Sequence, residues 1–206
     1  MLEESFLHLI SAIGADLFFS ILLMALAVIY VPIYCALRKA DVLKQYALKF
    51  AGMKAGICIC VNFFVIGSAA DDLSVPFIIS LCMIADVDIL IQKIPIEFLI
   101  ALAILNYRVV SGVFLLKTII PILCFCGFWS LVRRFTDMGI YDILLITILS
   151  INLADFPSAV EFSALILILW GLIGLIIHIN PRNEKIRKIP LAPIIVIAFI
   201  LTSSFL

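Results

Sequence analysis

The amino-acid sequence predicts an all-α protein, a polytopic transmembrane helical bundle of about eight spans, and three observations carry that prediction. Hydrophobic residues make up 66% of the 206-residue chain and charged residues 14%, with a mean hydropathy of +1.31. A soluble domain carries roughly 45–50% apolar and about 25% charged residues. The apolar residues are gathered into runs close to the roughly 17 to 25 that a membrane helix needs. The third observation is that the basic residues gather in alternate segments between these runs.

Taken in order, the runs lie near 16–37, 55–70, 75–92, 94–107, 113–132, 139–155, 160–178 and 190–206. The third and fourth flank Ile94 and Pro95, and they read as two helices because proline ends or kinks a helix at the residue before it. If the first run passes from outside to inside, the inner loops hold 12 of the 14 Lys and Arg residues and leave only Arg108 and Lys117 for the outer half. Cytoplasmic loops collect basic residues in this way. "DDLS" at 71–74 and "ADFPSAVE" at 154–161 then form acidic outer loops, with both termini outside.

The longest polar segment, "RKADVLKQYALKFAGMK" at 38–54, spaces Leu43, Tyr46, Ala47 and Phe50 at helical intervals and reads as an amphipathic connector on the inner surface. The first residues carry Glu3 and Glu4 without the basic stretch that opens a cleaved signal, so the first apolar run is expected to stay. The whole chain, 1–206, reads as a single membrane domain.

With 14 basic and 14 acidic residues and no basic tract, nothing points to nucleic acid. Cys35, Cys58, Cys60, Cys82, Cys124 and Cys126 all fall within or beside apolar runs, in C-x-C rather than C-x-x-C spacing. They read as small buried hydrophobes, not as a metal site or a disulfide framework. No metal-binding spacing such as H-E-x-x-H occurs, and no cofactor is implied. His178 reads as interfacial, and Trp129 and Trp170 as ordinary span residues.

The informative charges are those at the ends of apolar runs. Asp86 and Asp88 lie near the inner end of the third run, and Asp142 opens the sixth, three residues after Gly139. The topology puts Asp88 and Asp142 at similar depth on the inner side, where they could face each other. Two carboxyls held close together do not both ionise easily, so one keeps a proton while the other acts as base toward a water that attacks a peptide carbonyl. Two other readings of the same residues stay open. Asp142 suits the first turn of a helix as a counter to its dipole, and intramembrane carboxylates also line proton and ion pathways.

These residues stand in a context that resembles the type IV prepilin peptidases, membrane aspartyl proteases of the GxGD class. "DILIQKIP" sets Asp88 seven residues before Pro95, with Ile94 preceding the proline, as the family does with its first aspartate. "MGIYD" keeps Met138, Gly139 and Asp142 of the second motif. "KIPLAPIIVIAF" keeps Ile189, Pro190 and Pro193 of a third, ahead of a final apolar run. The match covers about 75–206. Tyr141 stands where the family has the second glycine of Gly-x-Gly-Asp, and Leu144 where it has a lysine.

The resemblance implies a multi-pass protein of the bacterial inner membrane that removes basic leaders from prepilins or pseudopilins at the cytoplasmic face. Such peptidases serve type IV pilus and type II secretion systems. Asp88 and Asp142 would be catalytic, without metal or cofactor, with Gly139, Tyr141 and Pro95 in support and Asp86 as the alternative partner. Asp86 is two residues from Asp88 and so about 200° away around a helix, which keeps the two out of one site. The 38–54 loop has no cysteine and cannot form the zinc module of larger members. Glu97, Asp137 and Glu184 fall on the inner side and are either steering charges for a basic leader or solvated loop residues. The competing expectation is a non-catalytic membrane protein, either an ion- or proton-coupled transporter or an inactive scaffold.

Overall fold

The computed structural model describes residues 2–38, 51–69, 73–110, 115–136, 138–153, 156–179 and 189–204. These residues form eight α-helices and no strand. The helices are α1 (Leu2–Leu37), α2 (Ala51–Ser68), α3 (Val75–Ile91), α4 (Ile96–Val110), α5 (Leu115–Phe135), α6 (Ile140–Ser150), α7 (Phe156–Ile179) and α8 (Ala192–Ser204). Each predicted apolar run is a helix. The expected inner-surface connector lies outside the described residues from 39 to 50.

Proline marks several starts. Pro76, Pro157 and Pro193 all fall in first turns, where the missing N–H is one that the helix would leave unpaired in any case. The break between α3 and α4 differs from the expectation. Helix α3 stops at Ile91, before the proline, because Gln92 takes the left-handed conformation (φ 55°, ψ 38°) and turns its N–H back to the Asp88 carbonyl at 2.7 Å. Pro95 opens α4 instead, its carbonyl accepting from the Phe98 N–H at 3.2 Å.

Helix α3 is central, packed against α1, α2, α4 and α8, while α8 also meets α2, α6 and α7, and α5 packs on α6. Helix α8 is apolar on every side and nearly all of its residues are buried. Two ring contacts stitch it in place: Phe199 meets Phe77 of α3 at 5.9 Å and Phe162 of α7 at 6.1 Å between centroids.

Phe199 is 1% exposed. Phe199→Ala should lower stability by about 3 kcal/mol, the low end of the usual Phe→Ala range of about 3–5. The cavity is lost contact in any medium, whereas lipid returns part of the transfer energy that water would not. A denaturing-detergent titration reads this out.

Cross-helix contacts set the directions. At one end Arg38 bonds Glu97 in the first turn of α4 (2.6 Å), Lys54 in α2 donates to the Leu90 carbonyl of α3 (2.6 Å), and the start of α8 meets Asp88. At the other end the Ser204 hydroxyl donates to the Ser68 carbonyl (2.7 Å), joining the last turns of α8 and α2. Helices α1 to α4 therefore alternate in direction. Arg38, Lys54 and Lys93 share one end with Arg133 and Arg134, which close α5 beside the same cavity as Asp88.

The outside of the bundle is apolar: Phe18, Ile29, Ile168 and Ile176 are 64, 59, 57 and 65% exposed. Surface of this kind and extent is stable against lipid, not water. Among the described residues, three helices are long and apolar enough to cross a membrane, Ser11–Leu37, Ala51–Ser68 and Phe156–Ile176. The expected count was about eight. Helix α6 has 11 residues and α8 has 13, so at 1.5 Å per residue neither reaches the roughly 30 Å of a hydrocarbon core.

The cysteines divide. Cys35, Cys58 and Cys82 are buried as expected, but Cys60 and Cys124 face outward. On an apolar exterior an outward thiol meets hydrocarbon, which is why composition could not separate the two groups.

Candidate active site

At the basic end a cavity of about 690 Å³ opens among the last turn of α3, the end of α5, the start of α6, Trp170 of α7 and residues 189–191 before α8. Asp88 and Asp142 both line it. The two carboxyls lie close enough to act on each other electrostatically. Arg134, Gln92 and Trp170 share the wall.

Asp88 is placed by two helices. It sits in the last turn of the central helix, 4% exposed, and its Oδ2 accepts the Ala192 N–H at 3.0 Å. The Leu191 N–H lies within electrostatic reach of the same carboxyl. The reason lies in how "PLAP" opens α8. A helix leaves its first N–H groups without partners. Pro193 has no N–H, and the Ile195 N–H already reaches the Leu191 carbonyl at 3.0 Å. The donor of Ala192 is thus left over, and Asp88 takes it. The positive end of the α8 dipole faces the same carboxyl.

Asp142 is placed by its own helix. It is the third residue of α6, and its Oδ2 accepts the N–H of Gly139, the N-cap, at 2.9 Å. This is the backward half of a capping box. A Cβ on residue 139 would stand 3.0 Å from that oxygen, so the glycine makes room for the carboxyl. Its φ of −72° is open to any residue, so close approach, not backbone freedom, explains this glycine.

The other sequence-derived candidates fall elsewhere. Asp86, the alternative partner, does not line the cavity. It points between α2 and α3, where Asn62 Nδ2 donates to its Oδ2 at 2.7 Å. The half-turn offset along α3 sends the two aspartates to different neighbours. Tyr141, in the second-glycine position, lies within the first turn of α6, with its side chain 40% exposed and within electrostatic reach of Tyr34 and Arg38. No positive φ is needed there. Pro95 is buried at the start of α4 and Glu97 is bonded to Arg38; neither is in the cavity wall. Asp137 and Glu184 lie outside the described residues.

Sequence reasoning missed four contributors. Arg134 was counted only as an inner-loop charge, Trp170 was read as an ordinary span residue, and Gln92 was not singled out. The Leu191–Ala192 backbone carries no side-chain signal, and only the proline after it hints that a helix begins there.

The arrangement suits general acid–base chemistry. One carboxyl is buried and held by a backbone donor of α8, and the other is half-buried and held by its own helix cap, so a single proton can be held between unlike environments. No protein-family model, curated protein or solved structure matches the chain.

Proposed function

We propose that the chain is a membrane aspartyl endopeptidase of the prepilin peptidase type. It cleaves basic leaders from pilin-like precursors at the cytoplasmic face of the bacterial inner membrane. The observation that carries this reading is the convergence of Asp88 and Asp142, 54 positions apart in sequence, on one cavity at the basic end of the bundle. In this reading the longer helices span the bilayer and the shorter α6 and α8 complete the eight-segment bundle as buried or partial spans. The end bearing Arg38, Lys54 and Arg134 faces the cytoplasm. One carboxylate draws a proton from water as it attacks the scissile carbonyl, and its protonated partner donates to the developing oxyanion and then to the leaving amine.

The test is cleavage of a co-expressed prepilin with a basic leader and an apolar helix, followed by its change in mobility. Processing that depends on both aspartates supports the proposal; no processing by the wild-type chain overturns it. A finer prediction follows from the grip on Asp88. Ala192→Pro keeps the helix start, where proline is well tolerated, and removes one charge-assisted bond worth about 1.5–3 kcal/mol. The cleavage rate should fall about 10- to 100-fold with the fold intact.

A second reading, a non-catalytic protein that moves protons or cations, is favoured by one observation: the additional buried carboxyl, Asp86, half a turn along α3 from Asp88. It predicts ion movement in reconstituted vesicles that is lost in Asp86→Asn, and no cleavage.

A further inference from the structure

Between α2 and α3 lies a polar file that the dyad does not use. Lys54, Cys58 and Asn62 recur every four residues on one face of α2, and Cys82, Asp86 and Leu90 do the same on α3. Lys54 closes the file at the basic end by donating to the Leu90 carbonyl. Cys58 hydrogen-bonds Asp86, and Asn62 Nδ2 donates to Asp86 Oδ2. Asn62 and Asp86 are both fully buried. The second oxygen of each, Asn62 Oδ1 and Asp86 Oδ1, has no hydrogen-bond partner.

Two buried acceptor oxygens on groups already in contact is an arrangement that an ionised carboxylate cannot sustain. Both atoms seek a positive partner, and a bare carboxylate would lose its hydration for one amide bond and a weak thiol bond. No cation faces it. Lys54 is engaged with Leu90, and Arg38 with Glu97. The remaining titratable neighbours are the thiols of Cys58 and Cys82, with Cys35 on the buried face of α1. Helix α8, which packs on both α2 and α3, has no titratable side chain at all.

We infer that Asn62 and Asp86 form a buried binding site for one unit of positive charge, a proton or a desolvated monovalent cation such as Na⁺, shared by their two free oxygens. A proton on Asp86 Oδ1 would close an acid–amide ring with Asn62 Oδ1, each group then donating once and accepting once. A small cation would take the same oxygens as ligands. Either one neutralises Asp86. The inference does not depend on peptidase activity.

Infrared difference spectra test it on the full chain in lipid nanodiscs, comparing the Asp88→Asn, Asp142→Asn variant with the same variant carrying Asp86→Asn. A protonated-carboxyl carbonyl band that disappears with Asp86→Asn establishes the proton. Ionised-carboxylate bands that shift when choline replaces Na⁺ or Li⁺, with a melting temperature that rises with Na⁺ or Li⁺ only while Asp86 is present, establish the cation. An ionised Asp86 that ignores the choice of cation, satisfied by a bridging water only, overturns the inference. Should the Asp86 variant not fold, Asn62→Ala is the second probe. It is expected to shift the protonated band or abolish the cation response, and an unchanged spectrum and melting curve overturn the inference equally.

Discussion

Asp88→Asn leaves a co-expressed prepilin uncleaved, with a rate loss on the order of 10⁴-fold, the scale on which one member of a catalytic unit is missed. The substitution is a strict one. Asparagine has the same shape, and its oxygen still accepts from the Ala192 N–H, so α8 keeps its anchor and the protein level is unchanged. What disappears is the ability to take up and release a proton. Asp142→Asn behaves alike, because its amide oxygen still accepts the Gly139 N–H.

The double variant should be no slower than either single one, since the two carboxyls share one task. A pair that works with one proton between two groups also gives a bell-shaped dependence of rate on pH. The rate falls at low pH when the base is protonated and at high pH when the acid is lost, and each single variant loses the bell. Retained cleavage in either variant would remove that residue from the dyad.

Gly139→Val abolishes or nearly abolishes the same cleavage for a different reason. The backbone at Gly139 is extended and accepts any side chain, but the new Cβ would lie 3.0 Å from Asp142 Oδ2 and 3.8 Å from its Cγ. One of the two must move, and the carboxyl is the more mobile. It swings off the Gly139 N–H, which costs a cap bond worth about 0.5–2 kcal/mol. More importantly, it leaves the geometry that faces Asp88, where a displacement of about 1 Å can cost about 10²-fold in rate. Gly139→Ala should sit between, with a loss of about 10-fold or more and a change in stability of no more than about 1–2 kcal/mol. Cleavage and detergent unfolding measured together separate the two effects; wild-type cleavage by Gly139→Val would show that Asp142 need not hold its observed position.

The apolar runs were legible because hydrophobic clustering is a local property, and every one of the eight is a helix. Their role as spans was less legible. Helix α8 is as apolar as α7, yet one lies within the bundle and the other presents a face to the outside. Composition cannot distinguish hydrocarbon from a protein core, since both solvate leucine equally well. The end of α3 illustrates a local miss: Pro95 was the visible stop signal, while Gln92, a residue with no strong turn preference, makes the turn.

The site divides along the same line. That aspartates at the inner ends of two apolar runs are the carboxyls to watch follows from sequence, because such charges are costly there; the choice of Asp88 over Asp86 rests on the resemblance, through the spacing to Pro95. That Asp86 belongs to a separate neighbourhood was implied by helical periodicity, but its partner Asn62 was not, because pairing across helices is not written in either one. The grip of Ala192 on Asp88, the crowding of Gly139 against Asp142 and the entry of Arg134 and Trp170 into the cavity wall depend on how α3, α5, α6, α7 and α8 come together. The sequence by itself determined helix content and an apolar exterior, both consequences of local composition and period, and it marked the aspartates at the ends of the apolar runs. Tertiary structure alone decided which backbone donors and which opposing side chains those carboxyls meet, because such contacts join residues as many as 104 positions apart.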